Sequence, residues 1–321
     1  MKLTLALQGG GAHGAFTWGV LDKLLEAGLQ PEAISGTSAG AMNAVMLAEG
    51  WRVGGVDGAR DLLQQFWLGL ALPDSFAAQK PVDWWRKLTR HLSPYDLNPF
   101  DYNPLKELLE KLIDFEALRV SSPIHLYIAA TQVDTGGLRL FRETELGVEH
   151  MLASACLPTL HKAVEIEGKH YWDGGFSGNP VLRPLIIDST ASDLLCVLLQ
   201  PLIRPELPTQ SNAITERMNE LMFQSAFMRE LELVKDNQAH LKRHPWLLGK
   251  QESRWRKCRM HLIEPDDILA SMDAASRFDT RKGFLESLYQ QGYAQAEHWF
   301  EKSKGQLGRS STWKIEALFA R

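Results

Sequence analysis

Short apolar runs alternate with amphipathic stretches through the first 200 residues of the chain. Residues 2–7 and 33–35 are brief apolar runs that end at polar residues or glycine, as buried strands do. The stretch from about Gly14 to Ala27 has helical spacing, and Gly28 provides a typical helix stop. This strand–loop–helix–strand–turn–helix order predicts a three-layer α/β/α fold with a mostly parallel central sheet.

The strand pattern returns in the second part of this region. Further strands are predicted at 124–131, 138–142, 163–166, 170–172 and 194–199. The last of these is a continuous apolar run, which is typical of a parallel strand covered on both faces. We therefore expect residues 1–208 to form one domain around a single sheet.

Two regions depart from this alternation. Residues 51–115 are rich in aromatic residues and prolines and predict a helical cap, whose aromatic side chains we expect mainly to pack, with an acyl pocket as the alternative. Residues 209–321 predict a helical extension packed on the same domain. Its segments are a long helix at about 212–243, a strand at 260–263 and helices at about 266–276, 280–290 and 293–303.

Methionines recur on the long predicted helix. Met218, Met222 and Met228 follow three- and four-residue spacing together with other apolar residues. We expect this stripe to pack in the core, with lipid docking as the alternative. A basic cluster at 254–257 has a solvated surface as its default interpretation and contact with anionic headgroups as the alternative.

Composition limits the classes of function. The 321 residues carry a formal net charge of −4, so we expect no nucleic-acid partner. Cys156, Cys196 and Cys258 are odd in number and widely spaced, which favours a reducing compartment and no metal site. The apolar run Leu3–Leu7 is too short for a secretion signal, and no run approaches the ~20 apolar residues that cross a bilayer. We expect a cytoplasmic location, with peripheral attachment to a membrane left open.

A glycine-rich loop, GGGAHG at residues 9–14, stands between the first strand and the first helix. A P-loop is excluded because Ala15-Phe16 follow where lysine and serine or threonine are required. The loop also fits the dinucleotide pattern GxGxxG, but the next predicted strand ends in Ser35-Gly36 and not in an acidic residue. An oxyanion hole and a simple tight turn remain as the other interpretations.

Ser38 lies in the sequence GTSAG at residues 36–40, which fits the GxSxG nucleophile elbow. A short strand precedes it and a helix of small residues follows, as that turn requires. The alternative is an ordinary helix N-cap serine. With the glycine loop upstream, we favour the nucleophile.

A serine nucleophile needs a proton acceptor. None of the ten histidines has an obvious triad context, whereas Asp173-Gly174-Gly175 follows the predicted strand at 170–172. Two glycines after an aspartate leave its carboxylate accessible. The alternative is that Asp-Gly forms only a turn.

Together, the segments at 9–14, 36–40 and 173–175 resemble the patatin-like phospholipase family. Two further stretches are similar to that family, namely Ala129-Ala130-Thr131 and the small-residue segment 154–158 that ends in proline. The resemblance covers about residues 1–200, so residues 1–208 are interpreted as a patatin-like acyl-hydrolase domain.

The resemblance implies hydrolysis of lipid acyl esters, such as phospholipids or lysophospholipids, by a Ser–Asp dyad through an acyl-enzyme. Ser38 is then the nucleophile and Asp173 the base, and backbone N–H groups of Gly9, Gly10 and Gly11 bind the oxyanion. No cofactor or metal is required. The alternatives are an acyltransferase with the same dyad and a catalytically silent lipid-binding or scaffold protein.

One position departs from the family pattern. His13 stands where the family usually has arginine or lysine. We expect His13 and Gly14 to contribute to substrate binding, with packing of the His13 side chain as the alternative.

Overall fold

The computed structural model describes residues 1–74, 95, 103–247, 249–265, 269, 272 and 274–320. Its sheet has eight strands in the order β5-β6-β3-β2-β1-β7-β8, and β4 pairs with β3. The strands are β1 Lys2–Leu7, β2 Gln30–Thr37, β3 His125–Gln132, β4 Leu138–Arg142, β5 Val164–Ile166, β6 Lys169–Asp173, β7 Asp193–Val197 and β8 Arg259–Ile263.

The helices cover both faces of this sheet. They are α1 Gly14–Glu26, α2 Ala39–Gly69, α3 Pro104–Leu112, α4 Phe115–Ser121, α5 Val148–Ser154, α6 Arg183–Ile187, α7 Ser211–Arg243, α8 Lys250–Lys257 and α9 Lys282–Ser303. The predicted three-layer α/β/α fold is confirmed. The pairs β1–β2, β1–β7, β2–β3 and β7–β8 are parallel. The pairs β3–β4, β3–β6 and β5–β6 are antiparallel.

Strand β1 shows how the core divides into two layers. Its alternation places Leu3, Leu5 and Leu7 in a cluster with α1, α2 and α9. Ala6 faces the other way, into a cluster with α6 and α7. The parallel strands are therefore covered on both faces, and their carboxyl ends meet at one edge of the sheet.

The predicted cap begins differently in the structure. The helix of small residues that follows Ser38 continues into the predicted cap as α2, which ends at Gly69 and has a kink at Gly54 and Gly55. Phe66 and Trp67 are buried core residues. Among the other predicted cap aromatic residues, Phe76, Trp84, Trp85, Phe100 and Tyr102 lie outside the described residues.

The C-terminal region joins the same sheet through β8. Helix α7 confirms the long predicted helix. The prediction that Met218 and Met222 pack in the core is wrong, because these side chains are 64 % and 45 % exposed. The buried face of α7 consists instead of Glu220, Gln224, Phe227, Leu231 and Val234. That set follows helical spacing. Met228, the third methionine of the stripe, is partly buried and packs against this core as expected.

The predicted helices at 280–290 and 293–303 form one continuous helix, α9. Gly292 does not interrupt it, because this glycine lies where α9 crosses α1. A Cβ at Gly292 would overlap the carbonyl oxygen of Phe16.

Candidate active site

Ser38 occupies the sharp turn between β2 and α2. Its backbone has φ 53° and ψ −121°, a strained conformation for a residue other than glycine. A Cβ on Gly36 would lie only 2.5 Å from the carbonyl oxygen of Gly40, so the turn leaves no room for a side chain there. The Ser38 side chain makes no capping hydrogen bond to α2. The geometry is that of a nucleophile elbow and not of an ordinary N-cap.

Strand β3 brings Asp173 next to this elbow. Thr37, at the end of β2, pairs with Ala129, and Asp173, at the end of β6, pairs with Ala130. Strand β4 occupies the opposite side of β3 over the same residues. Strands β2 and β6 therefore share one side of β3, and their ends meet where Ser38 and Asp173 stand.

The Asp173 carboxylate is only 1 % exposed and has two donors. Its Oδ1 accepts a 2.7 Å hydrogen bond from the Gly175 N–H, and the carboxylate also accepts from the Ser38 hydroxyl. Burial raises the pKa of Asp173 to about 6, while these two hydrogen bonds act in the lowering direction. The same residue therefore forms the predicted turn and reaches the serine.

The last residue of α5 and the segment that follows it anchor both members of the pair. The Ser38 N–H donates to Ser154 Oγ at 3.0 Å, and the Asp173 N–H donates to the Cys156 carbonyl at 2.8 Å. Thr131 Oγ1 also donates to the Asp173 carbonyl at 2.8 Å. The sequence marked this segment only through the family resemblance, so its anchoring contacts were missed.

The glycine loop lies against the elbow. A Cβ at Gly9 would be 2.8 Å from the Ser38 Cβ. The Gly9 N–H, however, donates to Asn179 Oδ1 at 2.7 Å, so this group is engaged within the protein. Among the described residues, the Gly10 and Gly11 N–H groups have no acceptor. Of the three predicted oxyanion donors, the structure thus leaves Gly10 and Gly11.

Asn179 is a further residue that the sequence did not reveal. It is 1 % exposed and holds the glycine loop across a separation of 170 residues. One local signal was present, because Asn179 precedes a proline just beyond the Asp173-Gly174-Gly175 turn. Nothing in the sequence pattern, however, tied it to residue 9.

His13 and Gly14 occupy packing positions. The His13 side chain is 3 % exposed, and its Nε2 lies 2.8 Å from Ser276 Oγ. Gly14 is buried against Ala39 and Trp67. The expected contact of these two residues with substrate therefore has no support in the geometry.

The described part of the chain contains no cluster of three or more His, Cys, Asp or Glu side chains that could hold a metal ion. Its three cysteines are buried free thiols. None of its helices is long and apolar enough to cross a membrane.

An elbow serine, a buried aspartate and a glycine loop meet on a mostly parallel sheet and define an α/β protein with a candidate serine-nucleophile site. The model of the family "Patatin-like phospholipase" matches residues 5–186, more than half of the chain. The chain belongs to this family, whose members are lipid acyl hydrolases.

No curated protein matches the chain. Among solved structures, it is similar to the crystal structure of VipD from Legionella pneumophila, with 15 % identity and a TM-score of 0.38. That match covers 93 % of this chain and 67 % of VipD.

Proposed function

We propose that the protein hydrolyses acyl ester bonds of lipids through a Ser38–Asp173 dyad and an acyl-enzyme. One observation carries the proposal: the hydroxyl of a strained elbow serine hydrogen-bonds a buried carboxylate. Membership in a family of lipid acyl hydrolases supports the ester as substrate. Phospholipids and lysophospholipids are the proposed substrate class.

In the acylation step, Ser38 Oγ attacks the acyl carbon while its proton passes to the Asp173 carboxylate. The Gly175 N–H holds that carboxylate in place from the other side. Collapse of the tetrahedral intermediate breaks the ester bond, and Asp173 returns the proton to the leaving alcohol. Deacylation repeats the sequence with water as the attacking group.

The negative charge of the tetrahedral intermediate falls next to the glycine loop. The Gly10 and Gly11 N–H groups are the proposed donors to the oxyanion, and the Gly9–Asn179 hydrogen bond fixes the loop that carries them. The N-terminus of α2 begins directly after Ser38 and adds a positive dipole end. One such donor commonly lowers the barrier by ~3–4 kcal/mol.

We also propose that the protein works at the surface of lipid aggregates as a peripheral protein. Helix α7 reaches the dyad, since Phe223 lies where a Cβ of Gly175 would be. Beside Phe223, the α7 side chains of Met218, Leu221 and Met222 are 45–64 % exposed. Apolar side chains exposed next to a catalytic loop suit contact with acyl chains. On this proposal, residues 1–208 supply the dyad, and residues 209–321 cover its edge.

The test of the dyad is Ser38→Ala. We expect it to abolish hydrolysis of p-nitrophenyl esters of graded chain length and of defined phospholipids, because no other group would carry the acyl chain. A fluorophosphonate probe should label Ser38 in the parent protein and not in the variant. Ser225→Ala is the matched control, since Ser225 is exposed and its hydroxyl bonds only the Met222 carbonyl of its own helix. Activity that persists in Ser38→Ala contradicts the mechanism.

A further inference from the structure

A cavity lies at the opposite end of the parallel strands from Ser38. Its volume is about 480 Å³, and it opens between α8 and the segment 189–192 that leads into β7. The dyad stands at the carboxyl ends of the parallel strands, whereas this cavity stands at the amino end of β7. It is therefore separate from the catalytic machinery.

The side of the cavity formed by α8 is cationic. Lys250, Arg254 and Lys257 line it, and their spacing of four and three residues places them on one face of the helix. Among the described lining residues there is no carboxylate. The cavity thus collects three positive charges in a chain whose net charge is −4.

Unpartnered hydrogen-bond donors on two of the lining residues add a second, independent observation. The Ser189 side chain is 2 % exposed, and its Oγ has no partner within the described part of the protein. One terminal guanidinium nitrogen of Arg254 is likewise buried without an acceptor there. A buried polar group without a partner costs about 1–3 kcal/mol. Both groups are donors, and the oxygens of a bound anion would accept from them.

The loop that carries Ser189 is held in place from outside. The Thr190 N–H and hydroxyl and the Ala191 N–H all donate to the Glu32 carboxylate. These bonds engage the Glu32 carboxylate. They also fix the loop, so Ser189 meets α8 in a preformed arrangement.

We propose that this cavity binds the phosphate group of a small phosphorylated molecule or headgroup. A phosphate dianion matches three cations better than a single carboxylate does, and the Arg254 guanidinium fits its oxygens in a planar fork. The volume exceeds that of phosphate alone. Leu185, Ile186 and Leu194 also line the cavity and leave an apolar wall for the organic part.

The test is isothermal titration of the full chain with inorganic phosphate and with glycerol 3-phosphate at constant ionic strength. We expect saturable binding that Arg254→Gln weakens at least tenfold and Ser189→Ala weakens about threefold. Arg256→Gln is the matched control, because it removes the same charge from the same helix outside the cavity, and we expect less than a twofold effect. Circular dichroism and thermal unfolding verify that each variant is folded.

Two further arms separate the sources of the phosphate. Co-sedimentation with phosphatidylcholine vesicles that contain phosphatidic acid, lost in Arg254→Gln, identifies a lipid headgroup. Binding of glycerol 3-phosphate without vesicle binding identifies a soluble ligand. Ser38→Ala should bind like the parent protein, so failure of the dyad leaves this test intact. Absence of saturable binding to any of these probes, or equal losses in Arg254→Gln and Arg256→Gln, overturns the proposal.

Discussion

Asp173 combines burial with a proposed catalytic task that requires charge. Its carboxylate is 1 % exposed, and burial raises its pKa from the usual 3.8 to about 6. A raised pKa makes the carboxylate a better proton acceptor for Ser38 once it is ionised. The same burial penalises the charged state, so the dyad functions at a cost in stability.

The first consequence is a pH dependence of the reaction. Because Asp173 must be ionised to accept the serine proton, we expect kcat/KM to rise with pH through about 6 and then to level off. Asp173→Asn keeps the shape and removes the base, so turnover should fall by ~10²–10⁴. The measurement is a pH–rate profile with a soluble ester. A profile centred near 4, or a mild effect of Asp173→Asn, contradicts this role.

The second consequence concerns stability. The pKa of Asp173 is higher in the folded state than in the unfolded state. Between about pH 4 and 6, the carboxyl is therefore protonated in the folded state and largely ionised in the unfolded state. The contribution of Asp173 to the free energy of unfolding is most favourable below pH 4 and is lost as pH rises through 6. The penalty above pH 6 is about 3 kcal/mol. Denaturant unfolding should therefore show Asp173→Asn more stable than the parent above pH 6, with a smaller difference near pH 4. A variant less stable than the parent at pH 8 rejects this assignment.

Sequence patterns identified the residues that stand in short, recognisable motifs. Ser38 and Asp173 each stand in a short motif with glycines, and the structure brings them together. Ser154 and Asn179 carry no such signature, because their partners, the N–H groups of Ser38 and Gly9, lie more than 100 residues away. Only the folded chain determines which backbone group such a side chain meets. His13 illustrates the converse. Its position in the motif suggested contact with substrate, whereas in the fold its side chain contacts Ser276.

Elements were predictable where periodicity ran uninterrupted. The long pattern at 212–243 became α7, at Ser211–Arg243. The same pattern did not distinguish its faces, because both carry apolar residues, and the polar Glu220 and Gln224 proved to be buried. Gln224 donates to the Pro201 carbonyl, and Glu220 pairs with Arg204 and Arg217. Paired polar groups can therefore occupy a buried face that hydrophobicity alone would assign elsewhere.

Gly292 shows a second limit and gives a testable prediction. It lies between the helices predicted at 280–290 and 293–303, and the close contact of α9 with α1 requires a glycine there, since a Cβ would overlap the Phe16 carbonyl. We expect Gly292→Ala to lower the free energy of unfolding by about 1–3 kcal/mol, because overpacking outweighs the better helix propensity of alanine. Gly283→Ala is the control in the same helix, where a Cβ meets only an ordinary 3.4 Å contact with Asp74. Equal stabilities of the two variants in urea would contradict the close-contact explanation.

At the scale of the whole molecule, the two ends of the parallel strands carry different sites. The carboxyl ends of the parallel strands carry the proposed dyad, as ligand sites in such sheets commonly do. The amino end of β7 carries the cationic cavity. The C-terminal region contributes to both ends, with α7 beside the dyad and α8 beside the cavity. Family resemblance over residues 1–200 did not reveal either contribution.

Exposed methionines on α7, the helix whose Phe223 packs at Gly175, predict how the molecule meets its substrate. Met218 and Met222 lie one turn apart on α7, next to Phe223, which packs at Gly175. If this surface contacts acyl chains, the double variant Met218→Ser/Met222→Ser should lose several-fold in activity on phospholipid vesicles and retain its rate on a soluble short-chain ester. Val120→Ser is the control, because Val120 is 88 % exposed on α4, which precedes the amino end of β3 at the opposite edge. The measurement compares both rates above and below the critical micelle concentration. Parallel loss on both substrates would indicate damage to the dyad, and no loss on vesicles would remove α7 from the lipid-binding surface.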